Sequence, residues 1–172
     1  MRATMPGLIV RALPREATML RLISLLVMLL AVPTASLGQQ SLAGTYRLVS
    51  HALDVDGVVM ENMGKAPRGH LVFTQTRVVV FYTAQTRKPG ISKAEKAALY
   101  DTQTGWSARY RTEGGKLIMS MDASSFETWT GKDQVRSYQL SGNRLTLTSD
   151  RQQFPRDPSK TVVVRQVWEK VE

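Results

Sequence analysis

The sequence predicts a single all-β domain, an up-and-down barrel with one short helix, preceded by an export signal. Short runs of alternating or β-branched residues recur from residue 46 onwards, and turn residues separate them. No regular alternation of strands with long helices is visible, which argues against a parallel α/β sheet. The chain of 172 residues contains no cysteine, so disulfides, thiolate metal sites and cysteine nucleophiles are excluded.

The first 38 residues have the order of a secretory signal peptide. Four arginines precede an eleven-residue apolar run at 22–32, Pro33 ends the run, and small residues follow. Cleavage is predicted after Gly38, with Ala35 as the alternative, and Met19 is an alternative start. A helix of that length is about 16 Å long, roughly half of a bilayer core, so we expect no stable membrane span. An uncleaved anchor or a buried helix is the competing interpretation.

The charge that remains after residue 38 is moderate and dispersed. Residues 39–172, the predicted domain, carry 19 basic and 13 acidic side chains, a net charge of +6. They contain no basic block or basic helix, so we predict no nucleic-acid partner. An anionic ligand or an anionic envelope surface is compatible with this charge. We expect a secreted or periplasmic protein, and the oligomeric state stays open.

Nine strand-like runs follow one another within this domain. They cover residues 46–53, 58–60, 69–74, 77–83, 105–112, 116–121, 134–140, 144–148 and 161–169. The turns 54–57, 113–115 and 141–143 are short and contain glycine. This meander favours a closed up-and-down barrel, because closure leaves no unpaired strand edge.

One segment between the fourth and fifth runs is rich in helix formers. Residues 92–101 begin with Ser92, and Glu95 lies three residues later, which is the spacing of a capping box. A helix of about ten residues is too short to be stable alone in water, so we expect it to pack on an end or side of the sheet.

Five segments resemble the lipocalin-like domain family of bacterial and fungal proteins. They are Leu42–Ser50, Gly64–Thr74, Trp129–Leu140, Gly142–Leu147 and Val167–Lys170, and together they span residues 41–170 in the family's order. The resemblance implies a lipocalin-type β-barrel, often with a pocket for a small apolar molecule.

The chain departs from this family pattern at two places. Tyr46 stands where the first strand usually has tryptophan, which adds a hydroxyl that needs a partner. Residues 117–121 carry methionine and serine where many relatives have histidines. Any chemistry that those histidines perform is therefore not expected here.

Arg136 is the most informative polar residue. It fits the family's Gln-x-Arg segment and shares a strand face with Gln134, Tyr138 and Leu140. An inward arginine needs either a carboxylate partner or an anionic ligand, because a lone buried charge is costly, and both interpretations stay open. The ligand-binding residues that we predict are Arg136, Tyr138, Trp106, Tyr110, Phe73, Met119 and Met121. Phe81 and Tyr82 are further lining candidates, and a filled core is the alternative.

No arrangement of residues indicates a catalytic or metal site. The histidines are His51 and His70, and strand parity places His51 on the outward face, opposite Tyr46 and Leu48. Asp122 or Glu127 could partner a histidine only inside a barrel. We therefore predict no catalytic residue, no metal and no cofactor.

Three function classes remain compatible with these residues. The favoured one is an exported protein that binds a small hydrophobic molecule, with an anionic group as an option. The alternatives are an isomerase, cyclase or dehydratase that uses the same pocket, and an envelope interaction protein with a filled barrel. Whether the protein is an enzyme stays open, with binding alone preferred.

Overall fold

The computed structural model describes residues 41–154 and 157–172, and the signal-peptide prediction lies outside these ranges. A short 3-10 turn covers Glu127–Trp129. The other elements are β1 (Gly44–Val55), β2 (Val58–Met60), β3 (Arg68–Phe73), β4 (Arg77–Thr83), α1 (Lys93–Tyr100), β5 (Gln103–Glu113), β6 (Lys116–Ser124), β7 (Asp133–Ser141), β8 (Arg144–Ser149), β9 (Gln152–Phe154) and β10 (Asp157–Lys170). Within the described ranges, no helix has the length and hydropathy that a bilayer crossing requires.

Eight of these strands close into an antiparallel barrel, as the sequence predicts. Neighbours follow the chain from β3 to β8, and β1 completes the circle by pairing with both β3 and β10. Tyr46, for example, lies opposite Leu71 on one side and Lys170 on the other. The short strands β2 and β9 pair only with β1 and β10, so they extend the wall at one end.

A β-bulge at Val49 divides β1 into two halves of opposite parity. Leu48 lies opposite Trp168 of β10, whereas Ser50 lies opposite Val167, so Val49 is an extra residue. Because side chains alternate with a period of two, one extra residue reverses the faces that follow. Tyr46 and Leu48 are buried before the bulge, and His51, Leu53 and Val55 are buried after it.

One end of the barrel, called the packed end here, is filled by aromatic rings. Phe73 makes edge-to-face contacts with Tyr46 and Tyr110, at ring-centroid distances of 6.0 and 5.0 Å. The hydroxyl that distinguishes Tyr46 from tryptophan donates to the Leu42 carbonyl at 3.0 Å, so it has the partner that it needs. Burial raises the pKa of Tyr46, which keeps this hydroxyl protonated.

The predicted helix is present as α1, with the predicted capping box. The Ser92 hydroxyl accepts from the Glu95 backbone N–H at 3.2 Å, and the Glu95 carboxylate accepts from the Ser92 N–H at 2.8 Å. The helix buries none of its residues. Polar contacts attach it instead: Tyr100 donates to the Ser125 carbonyl, and Arg87 donates to the Leu99 carbonyl at the helix end.

Candidate functional site

The opposite, open end of the barrel contains a cavity. Its volume is about 80 Å³, which is room for about five to eight waters at roughly 10–15 Å³ each. Its lining comprises His51, Leu53, Asn62, Met63, Tyr82, Thr104, Trp106, Met119, Met121, Phe126, Trp129, Gln134, Arg136, Leu147, Gln152, Phe154, Val162, Val164 and Gln166.

The walls of the cavity are largely apolar and aromatic. Trp106 on β5 and Met119 and Met121 on β6 project inward from adjacent strands. Phe126 and Trp129 come from the segment after β6, with ring centroids 4.9 Å apart. Methionine adapts to varied apolar shapes and aromatic rings stack on other rings, so these walls suit a ring-containing or branched ligand.

Arg136 brings a positive charge into this apolar cavity. It lies on β7 between two buried neighbours, Leu117 of β6 and Ser149 of β8, which fixes its side chain on the inner face. Its Nη1 atom donates to the carbonyl of Val135 at 2.9 Å. No carboxylate of the described residues lies within ion-pair distance of it. Desolvation by burial lowers the pKa of Arg136, and the nearby Tyr82 and Asp150 partly offset that effect.

A buried histidine lies on the same inner surface. The Nε2 atom of His51 is 3.2 Å from the hydroxyl oxygen of Tyr82, and its Nδ1 atom is 3.0 Å from the Oδ1 atom of Asn62. The prediction that His51 points outward is wrong, because it assumed unbroken parity along β1. A change of phase in the apolar residues, from positions 46 and 48 to positions 53 and 55, is the signal that could have revealed the bulge.

Among the lining residues named above, His51, Tyr82 and Arg136 are the titratable ones. No aspartate, glutamate or lysine of the described residues lines the cavity. The interior therefore combines one fixed positive charge with two groups that can exchange a proton. Such an arrangement can hold an anion and polarise its functional groups.

The structure separates the predicted ligand-binding residues into two groups. Arg136, Trp106, Met119 and Met121 line the cavity. Phe73, Tyr110 and Tyr138 are not part of its lining: the first two form the packed end, and Tyr138 packs against the core.

Of the two further lining candidates, only one lies at the cavity. Tyr82 lines the cavity. The Phe81 side chain is exposed on the outer wall, where a Cβ on Gly105 would lie 3.1 Å from its ring.

The other candidate polar residues lie on the outer surface. His70 and Glu127 are exposed, and Asp122 pairs there with Arg77 and Ser107. Within the described ranges no group of three or more metal-ligating side chains comes together.

The lipocalin-like domain family matches residues 43–171 of the chain. This match covers the whole barrel, from the start of β1 to the end of β10. No curated protein and no solved structure shows significant similarity to the chain. The closed eight-stranded barrel and the extent of the match together show that the chain belongs to the lipocalin-like domain family.

Proposed function

We propose that this protein binds a small hydrophobic molecule with an anionic group in the open end of its barrel. The observation that carries the proposal is the position of Arg136. This cation lines an apolar cavity, and no carboxylate of the described residues lies within ion-pair distance of it. The carboxylate that acts on the pKa of Arg136 is Asp150, which is itself paired with Lys116 at 2.8 Å.

The energetics of burial support an anionic ligand. A buried charge without a counter-charge destabilises a fold, and a hydrophobic residue at the same place would usually be better tolerated. A guanidinium offers five donors in a planar fork, and the carbonyl of Val135 engages one nitrogen. A ligand carboxylate, sulfonate or phenolate would accept from the remaining donors and neutralise the charge.

The cavity walls support the hydrophobic part of the ligand. Ligand sites commonly have apolar and aromatic walls with a few polar groups, and this cavity has that composition. Trp106, Phe126 and Trp129 would cover the apolar body of the ligand while Arg136 holds its charged group. Export to the periplasm or the medium belongs to the same proposal, on the signal-like order of residues 1–38.

A matched pair of fluorescent probes tests the proposal. 1-Anilinonaphthalene-8-sulfonate and N-phenyl-1-naphthylamine share the same rings, but only the first carries a negative charge. We expect the protein to bind the anionic probe at least tenfold more tightly, because a charge-assisted hydrogen bond is worth about 1.5–3 kcal/mol. The substitution Arg136→Met should remove that preference and leave the Kd of the neutral probe unchanged.

The control is Arg109→Met, which removes an exposed arginine from the outer wall. It should leave both affinities unchanged. Equal binding of the two probes by the unaltered protein would contradict the anionic part of the proposal. Binding of neither probe would contradict the cavity as a ligand site and favour a filled barrel.

A further inference from the structure

The His51 and Tyr82 pair has a fixed direction of hydrogen bonding. The Oδ1 atom of Asn62 can only accept, so the proton of the neutral imidazole lies on Nδ1, which is 3.0 Å away. The lone pair of Nε2 then accepts from the Tyr82 hydroxyl at 3.2 Å. Nε2 of His51 can therefore accept the hydroxyl proton of Tyr82, and an acid–base residue is activated by such an adjacent acceptor.

This pair faces the same cavity as Arg136. All three side chains line it, from β1, β4 and β7. Tyr82 lies close enough to Arg136 for the two groups to interact electrostatically. A negative charge that develops on a ligand between them would be stabilised by the guanidinium in an apolar setting, where such interactions are strong.

We propose that Tyr82 and His51 form a proton-transfer site that enolises a bound apolar carboxylate carrying a neighbouring carbonyl, a 2-oxo acid with an aromatic or branched chain. This proposal rests on the proposed binding function, because Arg136 must first hold the carboxylate and its adjacent carbonyl oxygen. The cavity walls then place the chain, and the carbon next to the carbonyl lies toward Tyr82.

The proton transfer from the ligand to the Tyr82 and His51 pair needs no co-reactant. The C–H bond beside the carbonyl breaks and its proton moves to the Tyr82 oxygen, while the hydroxyl proton of Tyr82 moves to Nε2 of His51. The electron pair of the broken bond goes into the carbonyl, which becomes an enolate beside Arg136. His51 is then a cation that donates to Asn62 and Tyr82. Return of the proton to the same carbon, or to the enolate oxygen, regenerates the neutral pair.

Roles differ within the site. Tyr82 is the catalytic residue, because its oxygen contacts the reacting carbon. His51 is a positioning residue that acts through Tyr82. Among the groups that face His51 are Asn62, Tyr82 and, across the β1–β10 ladder, Gln166, and Arg136 lines the same cavity.

Deuterium exchange of phenylpyruvate tests the proposal. This molecule has an aromatic ring, a carboxylate and an adjacent carbonyl with an exchangeable CH₂ group. Proton NMR in D₂O follows the loss of the CH₂ signal, and tryptophan fluorescence of the same protein gives the Kd. We expect exchange at least tenfold faster than in buffer at saturating protein. Tyr82→Phe should abolish this acceleration with a Kd within twofold of the original.

Two further variants separate the roles. In His51→Gln the side-chain oxygen still accepts from Tyr82 but cannot take its proton, so the exchange should slow at least tenfold while the Kd stays within twofold of the original. Tyr46→Phe is the matched control, because it also removes a buried tyrosine hydroxyl, but at the packed end. It should change neither the rate nor the Kd. If Tyr82→Phe does not fold, His51→Gln carries the test.

Each result decides the proposal. Bound phenylpyruvate that exchanges at the buffer rate, or equally fast in Tyr82→Phe, overturns the proton-transfer site and leaves the binding function intact. Failure to bind phenylpyruvate, with the anionic naphthalene probe still bound, overturns this substrate class alone. Failure to bind either molecule overturns the binding function as well.

Discussion

The His51 imidazole and the Tyr82 ring pack inside the barrel with their centroids 5.2 Å apart. The two residues lie on strands that are not neighbours, β1 and β4, with β3 between them. They meet because β3 begins only at Arg68, so the inner surface beside His51 is open to side chains from further around the barrel. The contact also depends on the bulge at Val49, which turns His51 inward.

Deletion of Val49 should therefore destabilise the protein strongly. Without the extra residue, His51, Leu53 and Val55 would turn outward while their neighbours enter the core. We expect the free energy of unfolding to fall by more than about 4 kcal/mol, the range reserved for disrupted cores. Urea denaturation measures it. The control Val49→Ala keeps the bulge and should cost about 1 kcal/mol or less. A deletion variant of normal stability would show that the bulge does not set the parity.

Arg136→Met should increase the stability of the ligand-free protein. The substitution removes a part-buried charge that has no ion pair among the described residues and keeps an unbranched but shorter apolar side chain. Replacement of buried ionic groups by hydrophobic ones is often stabilising, and we expect about 1–2 kcal/mol here. The comparison is Arg109→Met, an exposed site with an expected change within about 0.5 kcal/mol. A loss of stability in Arg136→Met would indicate a structural role for the guanidinium.

The sequence indicated the barrel well because its strands are short, alternating and separated by turns that contain glycine. The limits of β2 and β4 are the same in prediction and structure, and α1 ends within one residue of the prediction at each side. Strand β9, Gln152–Phe154, was not predicted, since a three-residue strand with two glutamines has no clear pattern. Its pairing with β10 is irregular, with a register shift between Asp157 and Thr161, and local periodicity does not encode such a shift.

The site was harder to predict than the fold. Parity along an unbroken strand grouped Arg136 with Gln134, and both side chains line the cavity in the structure. The same reasoning failed for His51, because a single bulge residue reverses the faces beyond it. Strand parity gives the face on which a residue lies but not its position along the barrel axis. The sequence therefore could not distinguish Phe73 and Tyr110, at the packed end, from Trp106 near the opening.

Phe73→Leu should lower stability without altering the cavity. Phe73 loses two edge-to-face contacts, with Tyr46 and Tyr110, each worth roughly 0.5–1.5 kcal/mol. We expect a loss of about 1–3 kcal/mol in the free energy of unfolding, measured by urea denaturation. The Kd for 1-anilinonaphthalene-8-sulfonate should stay unchanged, because Phe73 does not line the cavity. A weakened Kd with unchanged stability would reverse the assignment of the two ends.

The hydrogen bonds of the Asp56 carboxylate should make the stability of the protein depend on pH. Its carboxylate accepts from the backbone N–H of Thr161 at 3.1 Å and from the Thr161 hydroxyl at 2.9 Å. The backbone bond is the larger cause that lowers the pKa of Asp56 below 3.8. Because the pKa is lower in the folded state, the ionised Asp56 stabilises the protein. This contribution is fully present above pH 3.8 and is lost as the pH falls through the pKa of the folded state.

The variant Asp56→Asn isolates this effect. Asn tolerates the left-handed backbone at this turn, where φ is 50°, so the turn itself should persist. The Tm of the unaltered protein should exceed that of the variant near neutral pH, and the difference should close as the solution becomes strongly acidic. A Tm difference that does not vary with pH would show that the charge of Asp56 contributes nothing.

The most direct test of ligand binding in the cavity is a ¹⁵N NMR titration that follows the indole N–H signals of the tryptophans. The protein has three tryptophans, of which Trp106 and Trp129 line the cavity and Trp168 is fully buried. With 1-anilinonaphthalene-8-sulfonate, the signals of Trp106 and Trp129 should shift and saturate together, and Arg136→Met should raise the probe concentration at the midpoint of these shifts at least tenfold. Saturable binding that leaves both signals in place would show that the ligand lies outside the barrel and would contradict the proposed function.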